Sequence, residues 1–182
     1  MNFSITLALL VSALLGACAN PLNRVTSDNY AATCVIAEDT DKLDVAEQAC
    51  YRALVNVDWG KLGPELKSQR LYNLGRIKRR LAKFSEAESL FKESLQIEEK
   101  LSTQTDVKIA RRLVELSVSL AGQDKWSDGA QFLERLLPIA DQLSGQERAY
   151  SAEVLTQYSK HLRKTNGIAI AERFEATALL LR

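Results

Sequence analysis

Small residues recur at Ala46, Ala87, Gly129 and Ala171, in steps of 41, 42 and 42. A second small series, Cys34, Gly75, Ser117 and Ser159, stands twelve residues before each of these anchors. Larger residues keep the same phase. Leu43, Phe84, Trp126 and Ile168 stand three before the anchors, and Tyr30, Leu71, Leu113 and Leu155 sixteen before. Thr33, Leu74, Leu116 and Tyr158 stand thirteen before, and Ala53, Ser94, Leu136 and Ala178 seven after. A period of this length means one supersecondary unit used repeatedly, each copy burying an apolar face on the next.

The spacing inside a unit is helical. In the second, Leu71, Leu74, Ile77 and Leu81 step by three or four, and Phe84, Ala87, Leu90, Phe91 and Leu95 do so again after a short break. Each run predicts an amphipathic helix with one apolar stripe. Breaks at 40–41, 123–124 and 166–167 fall inside units, and those at 60–64, 102–106 and 144–145 between them. Pro64 suits a first helical turn. Ser144 and Glu147 have capping-box spacing, and Pro138 should kink or end the run that holds it. Each unit is therefore two antiparallel helices, with the small columns where the pair approaches closely.

This pattern resembles the tetratricopeptide repeat. Leu71, Leu74 and Gly75, followed by Phe84, Ala87 and Phe91, carry the likeness, and the long step is similar to that of kinesin light chains. Lys78 and Glu175 depart from it, standing where an aromatic is usual. The expected fold is all-α, a tetratricopeptide-like superhelix of about four helical hairpins; a non-repeat helical bundle is the rival.

Residues 3–17 carry no charge and are almost all apolar, a run too short to span a bilayer as a helix. They match the apolar region of an export signal. The run ends in Leu15-Gly16-Ala17-Cys18, which resembles a bacterial lipobox. The resemblance implies cleavage before Cys18 and a diacylglycerol, with palmitate-type acyl chains, on its thiol. Ala19, rather than Asp, after the cysteine implies sorting to the outer membrane; the expected side is the periplasm, with the exterior the alternative. Met1-Asn2 lacks the usual Lys or Arg, so the terminal amine supplies the positive charge. An ordinary signal or uncleaved anchor, with Cys18 incidental, is the alternative. The layout is a signal at 1–17, a lipidated linker at 18–26 and repeats at 27–182. The units are about 27–63, 64–105, 106–144 and 145–182.

With Cys18 lipidated, Cys34 and Cys50 remain, an even number in an exported chain and a candidate disulfide. In an antiparallel hairpin, facing residues have numbers of near-constant total. Tyr30 with Ala53 and Ala37 with Ala46 both total 83, and Cys34 with Cys50 totals 84. Two unpaired buried thiols are the alternative.

Little else points to chemistry. Lys plus Arg number 24 and Asp plus Glu 23, a net charge of +1 that disfavours nucleic acid as a partner. A single histidine, His161, excludes sites built on two imidazoles and reads as a helix-surface residue. There is no Gly-rich phosphate loop, no G-x-S-x-G and no metal-spaced cluster. The pairs Glu98-Glu99 and Glu86-Glu88 read as solvated helix faces. We expect no enzyme activity, no cofactor and no metal; an enzyme or small-ligand binder is the least favoured class.

The run 76–80 puts four cations on one turn and a half of helix. A solvated face is its plain reading. The repeat resemblance implies a different one, because the first helix of each pair lines the partner-binding face. That places Gln69, Tyr72, Asn73, Arg76, Arg79 and Arg80 there from the second unit. Arg111, Val114, Glu115 and Val118 come from the third, and Glu153, Thr156, Gln157, Lys160 and Arg163 from the fourth. Asp28, Ala31, Val35 and Glu38 make the first unit's share acidic. The family's clamp for C-terminal carboxylates is matched only at Asn73. The expected function is a lipid-anchored periplasmic scaffold for a protein or peptide partner with acidic groups, in envelope-machine assembly. Self-association through the end hairpins, with Leu179 to Leu181 apolar, is the second reading.

Overall fold

The computed structural model describes residues 21–103 and 105–182. The signal segment and Cys18 lie outside the described residues. The described chain is helical, with no strand among these residues. In order it forms α1 (Pro21–Asp39), α2 (Leu43–Gly60), α3 (Pro64–Arg80), α4 (Phe84–Glu98), α5 (Asp106–Ala121), α6 (Trp126–Leu136), a 3-10 turn (Leu137–Gln142), α7 (Gly145–Lys164) and α8 (Ile168–Leu180). These pair as four hairpins: α1/α2, α3/α4, α5/α6 and α7/α8. α1 begins at Pro21, so residues 21–26, expected as linker, are its first turn and a half.

Four identical turns join the paired helices. Asp41, Ala82, Asp124 and Asn166, each five before its anchor, hold left-handed φ values of 55°, 57°, 60° and 61°. The next residue's amide then donates to a carbonyl five back: Lys42 to Ala37, Lys83 to Lys78, Lys125 to Leu120 and Gly167 to Leu162. This is the Schellman closure, which satisfies carbonyls the helix leaves open. Asp and Asn tolerate the left-handed region better than most residues; Ala does not.

The chain divides into two compact units at Lys67–Ser68, within α3, rather than forming one. In the first, α1 buries Ser27, Ala31, Cys34 and Ala37, and α2 buries Ala46, Ala49, Cys50, Ala53 and Val57. Ser27 Oγ donates to the Ala53 carbonyl at 2.9 Å. Cys34 and Cys50, both buried, lie at disulfide distance, their Cα atoms 5.2 Å apart.

In the second unit Leu71, Leu74, Ile77, Phe91, Leu113, Leu116, Leu133, Leu155, Tyr158 and Phe174 form the core. The small columns sit where expected and for a steric reason. A Cβ at Gly75 would lie 2.7 Å from the Phe91 ring. Ser117 Oγ donates to the Gly129 carbonyl at 3.0 Å. α6 stops at Leu136 and a 3-10 turn takes over around Pro138. Ser144 occupies the N-cap of α7 but makes no side-chain capping bond. Glu147 is instead drawn to Arg111. Thr105 caps α5, its Oγ1 accepting from the Lys108 amide.

Candidate partner-binding face

Within the second unit, three first helices converge. α3 supplies Tyr72, Arg76 and Arg79, α5 supplies Arg111 and Glu115, and α7 supplies Glu147 and Tyr150. Tyr72, Arg111, Val114, Glu115, Glu147 and Tyr150 line a small recess. Its charges are matched in place. Arg79 Nε lies 2.5 Å from Glu115 Oε2, and Arg111 pairs with Glu147. Burial works against the charge on Arg79, and the neighbouring Glu115 carboxylate outweighs it, so the guanidinium is held above its ordinary value. Burial, reinforced by the Glu115 charge, pushes the phenols of Tyr72 and Tyr150 up to about 12. Both remain neutral hydroxyls at any physiological pH, able to donate or accept. The charge of Arg76 acts on both phenols.

Lys160 lies apart, in an open recess of about 430 Å³ with Glu153, Thr156, Gln157, Leu181 and Arg182. Arg163 turns toward α8, where Nε and Nη2 make two bonds to the Glu175 carboxylate. Glu175 thus stands where an aromatic is usual because it holds an arginine. Asn73 is partly buried and Arg80 exposed, and neither lines these two recesses. Lys78 is tied to Glu86. The structure therefore gathers Tyr72, Arg76, Arg79 and Arg111, and leaves Asn73, Arg80, Lys160 and Arg163 outside that group. Glu147 and Tyr150 were missed. Extending the fourth unit's face from Glu153 by two three-residue steps toward its helix start would have reached both.

Two carboxylates read as solvated are not. Glu98 is 1% exposed. Its Oε2 lies 2.9 Å from Arg112 Nη2 and accepts from Ser68 Oγ at 3.0 Å, while Lys108 Nζ stands 3.4 Å from Oε1. Arg112 also donates to Ser94 Oγ, Ser68 Oγ and the Lys108 carbonyl, and lies 5.2 Å from the centre of the Tyr72 ring. Glu88 accepts from Lys92, Gln123 and Lys125, which ties α4 to the turn before α6. His161 does not simply project into solvent; its ring stacks on Trp126 with centroids 4.2 Å apart. Among the described residues no cluster of His, Cys, Asp or Glu could hold a metal ion. No described helix is long and apolar enough to cross a membrane.

No protein-family model matches the chain, and no curated protein matches it. Solved structures do. BtubC (BKLC) from P. vanneervenii is similar at a TM-score of 0.74 and 19% identity, over 88% of this chain and 64% of that one. The chain thus spans under two thirds of that protein. The putative kinesin light chain of Podosopora anserina, with nearly identical TPR-like repeats, is similar at a TM-score of 0.61 and 12% identity. That match covers 81% of this chain and 71% of that one. A point variant of that protein gives 0.62 and 12%, over 81% and 70%. The fold is TPR-like.

Proposed function

We propose that the chain is a lipid-anchored scaffold at the outer membrane, facing the periplasm, which binds a protein partner and has no catalytic role. The observation that carries the reading is the convergence of Tyr72, Arg79, Arg111, Glu115, Glu147 and Tyr150 from three successive first helices. Neutral phenols and matched ion pairs offer a peptide both donors and acceptors. They also penalise a misplaced charge, which is how such faces select partners. Arg79, held against Glu115, positions the recess. A partner's carboxylates belong at Arg111 and Lys160, whose side chains remain accessible. The lipobox at Leu15-Gly16-Ala17-Cys18 supports the anchor.

Capture of a partner from solubilised envelope tests the scaffold. Arg111→Glu with Lys160→Glu should lower capture about a hundredfold, about tenfold for each lost charge contact. Helical circular dichroism should be unchanged. Undiminished capture overturns this face as the binding surface. Labelling with a palmitate analogue tests the anchor, and the label should vanish in Cys18→Ser. A second reading, self-association, is favoured by the exposed Ile168, Leu179 and Leu180 on the last hairpin. Sedimentation of Leu179→Glu with Leu180→Glu against the parent chain separates it.

A further inference from the structure

The first hairpin carries an apolar end for which its own packing gives no reason. α1 and α2 are antiparallel, so the start of α1 and the end of α2 lie together; a Cβ at Gly60 would touch Asn23 at 2.7 Å. At that end Leu22 is 73% exposed, Val25 58% and Trp59 76%. Trp59 is the most exposed large apolar side chain of the described residues. Leu22 and Val25 lie on the side of α1 opposite Ser27, Ala31 and Cys34, which face α2. Two charge pairs stand beside them. Arg24 pairs with Asp28 at 3.0 Å and Lys67 with Asp58 at 3.2 Å.

Pro21, the first residue of α1, stands only three residues after Cys18. Fully extended, three residues reach about 10 Å. If Cys18 carries diacylglycerol, this end of the hairpin cannot leave the headgroup region. An exposed Trp flanked by aliphatic side chains is the composition that partitions into that region.

Resting on the lipid anchor proposed above, we infer that Leu22, Val25 and Trp59 dock the first hairpin end-on against the bilayer that holds the Cys18 lipid. A lipid chain alone would leave the body free to swivel. A second contact fixes the orientation of the hairpin on the surface, which the lipid by itself does not set. The three docking side chains are apolar, so their contact should persist at high salt.

The test uses the full processed protein in phosphatidylcholine vesicles brominated near the glycerol end of the acyl chains. Mass spectrometry first reports the lipid on Cys18. Trp59 emission, taken as the difference from the Trp59→Phe protein in which only Trp126 emits, should then shift to the blue and lose most of its intensity to bromine. Leu22→Glu with Val25→Glu should abolish that loss while the Cys18 lipid and the helical circular dichroism are kept. Lipid present with Trp59 unquenched overturns the docking and leaves the anchor standing. Lipid absent overturns both. A blue shift without quenching means another protein surface covers this end, and it overturns the docking as well.

Discussion

The phenol hydroxyl of Tyr158 fills the space that a side chain at position 129 would need. A Cβ added to Gly129 would lie 1.8 Å from that oxygen and 2.8 Å from Cζ. The hydroxyl donates to the Ser117 carbonyl at 2.6 Å. The third anchor is therefore Gly, where the others are Ala, because α7 of the next hairpin inserts a tyrosine there. Gly129→Ala should cost about 1–3 kcal/mol, the scale of forced overpacking. Tyr158→Phe should cost about 1 kcal/mol through the lost bond. Their double mutant should cost less than the two together, because removing the hydroxyl removes the closest clash. Urea unfolding of the four proteins measures the coupling, and strict additivity would contradict the geometry.

Ala82 is the one alanine among the four left-handed turn residues. Its Cβ strains the turn, and the site is exposed, so nothing packs on it. Ala82→Gly relieves the strain but adds freedom to the unfolded chain. The strain, about 1–2 kcal/mol, is the larger. The variant should be more stable by up to about 1 kcal/mol, read as a higher urea midpoint.

These turns also mark what sequence alone could reach. A strict period and helical spacing inside it were enough for the hairpins, the small columns and the Cys34–Cys50 register, because all are relations within one unit. Pro138 announced the end of α6 by backbone chemistry alone. The misses cross between hairpins. Glu98 and Arg112 are neighbours only because α5 folds back on α4. Arg79 and Glu115, 36 residues apart, meet for a similar reason. Helical periodicity assigns a carboxylate to a face; it does not show that the next hairpin covers that face with an arginine. Ser144 had the right spacing for a capping box, yet Arg111 competes successfully for Glu147.

Glu88 gives the stability a pH dependence. Burial alone would raise its carboxyl, but donors on Lys92, Lys125 and Gln123 override that and hold it at about 2, below the ordinary 4.5. A depressed acid contributes above its unfolded value and loses that contribution as pH falls through the folded one. The stabilisation is thus complete above about pH 4.5 and lost toward pH 2. Screening of Lys92 and Lys125, both exposed, limits it to on the order of 1 kcal/mol. Glu88→Gln should flatten the stability curve between these pH values and leave its shape above pH 5 unchanged, by urea titration.

Cys34 and Cys50 stand sixteen residues apart in sequence. Closing such a loop is worth about 3 kcal/mol in the chain-entropy model. A Cys34→Ala, Cys50→Ala protein should therefore lose protection of the α1 and α2 amides to hydrogen exchange. Amides of α5 and α7, in the other compact unit, should keep theirs. Equal loss in both would show that the two units unfold together. Peptide mapping without reductant should return the two cysteines joined.

The buried pair of Glu98 and Arg112 is costly to break and cheap to replace. Arg112 makes bonds to Glu98, Ser68, Ser94 and the Lys108 carbonyl, and burial lowers its guanidinium below its ordinary value against the pull of Glu98. The guanidinium nonetheless stays charged at any accessible pH. Glu98→Leu leaves that charge in a dry site with only neutral partners, and should cost about 3–5 kcal/mol. Glu98→Gln keeps an acceptor for the arginine and should cost less. Removing both charges, as Glu98→Leu with Arg112→Met, returns the site to apolar packing of similar volume and should recover most of the loss. The serines set the limit of that recovery. Without the charges, each serine hydroxyl can donate to the other's carbonyl, at 3.0 and 2.8 Å, so both stay satisfied. Urea unfolding of the three variants orders the effects. A double variant as unstable as Glu98→Leu alone would mean that the pair, rather than the packing around it, holds α5 against α4.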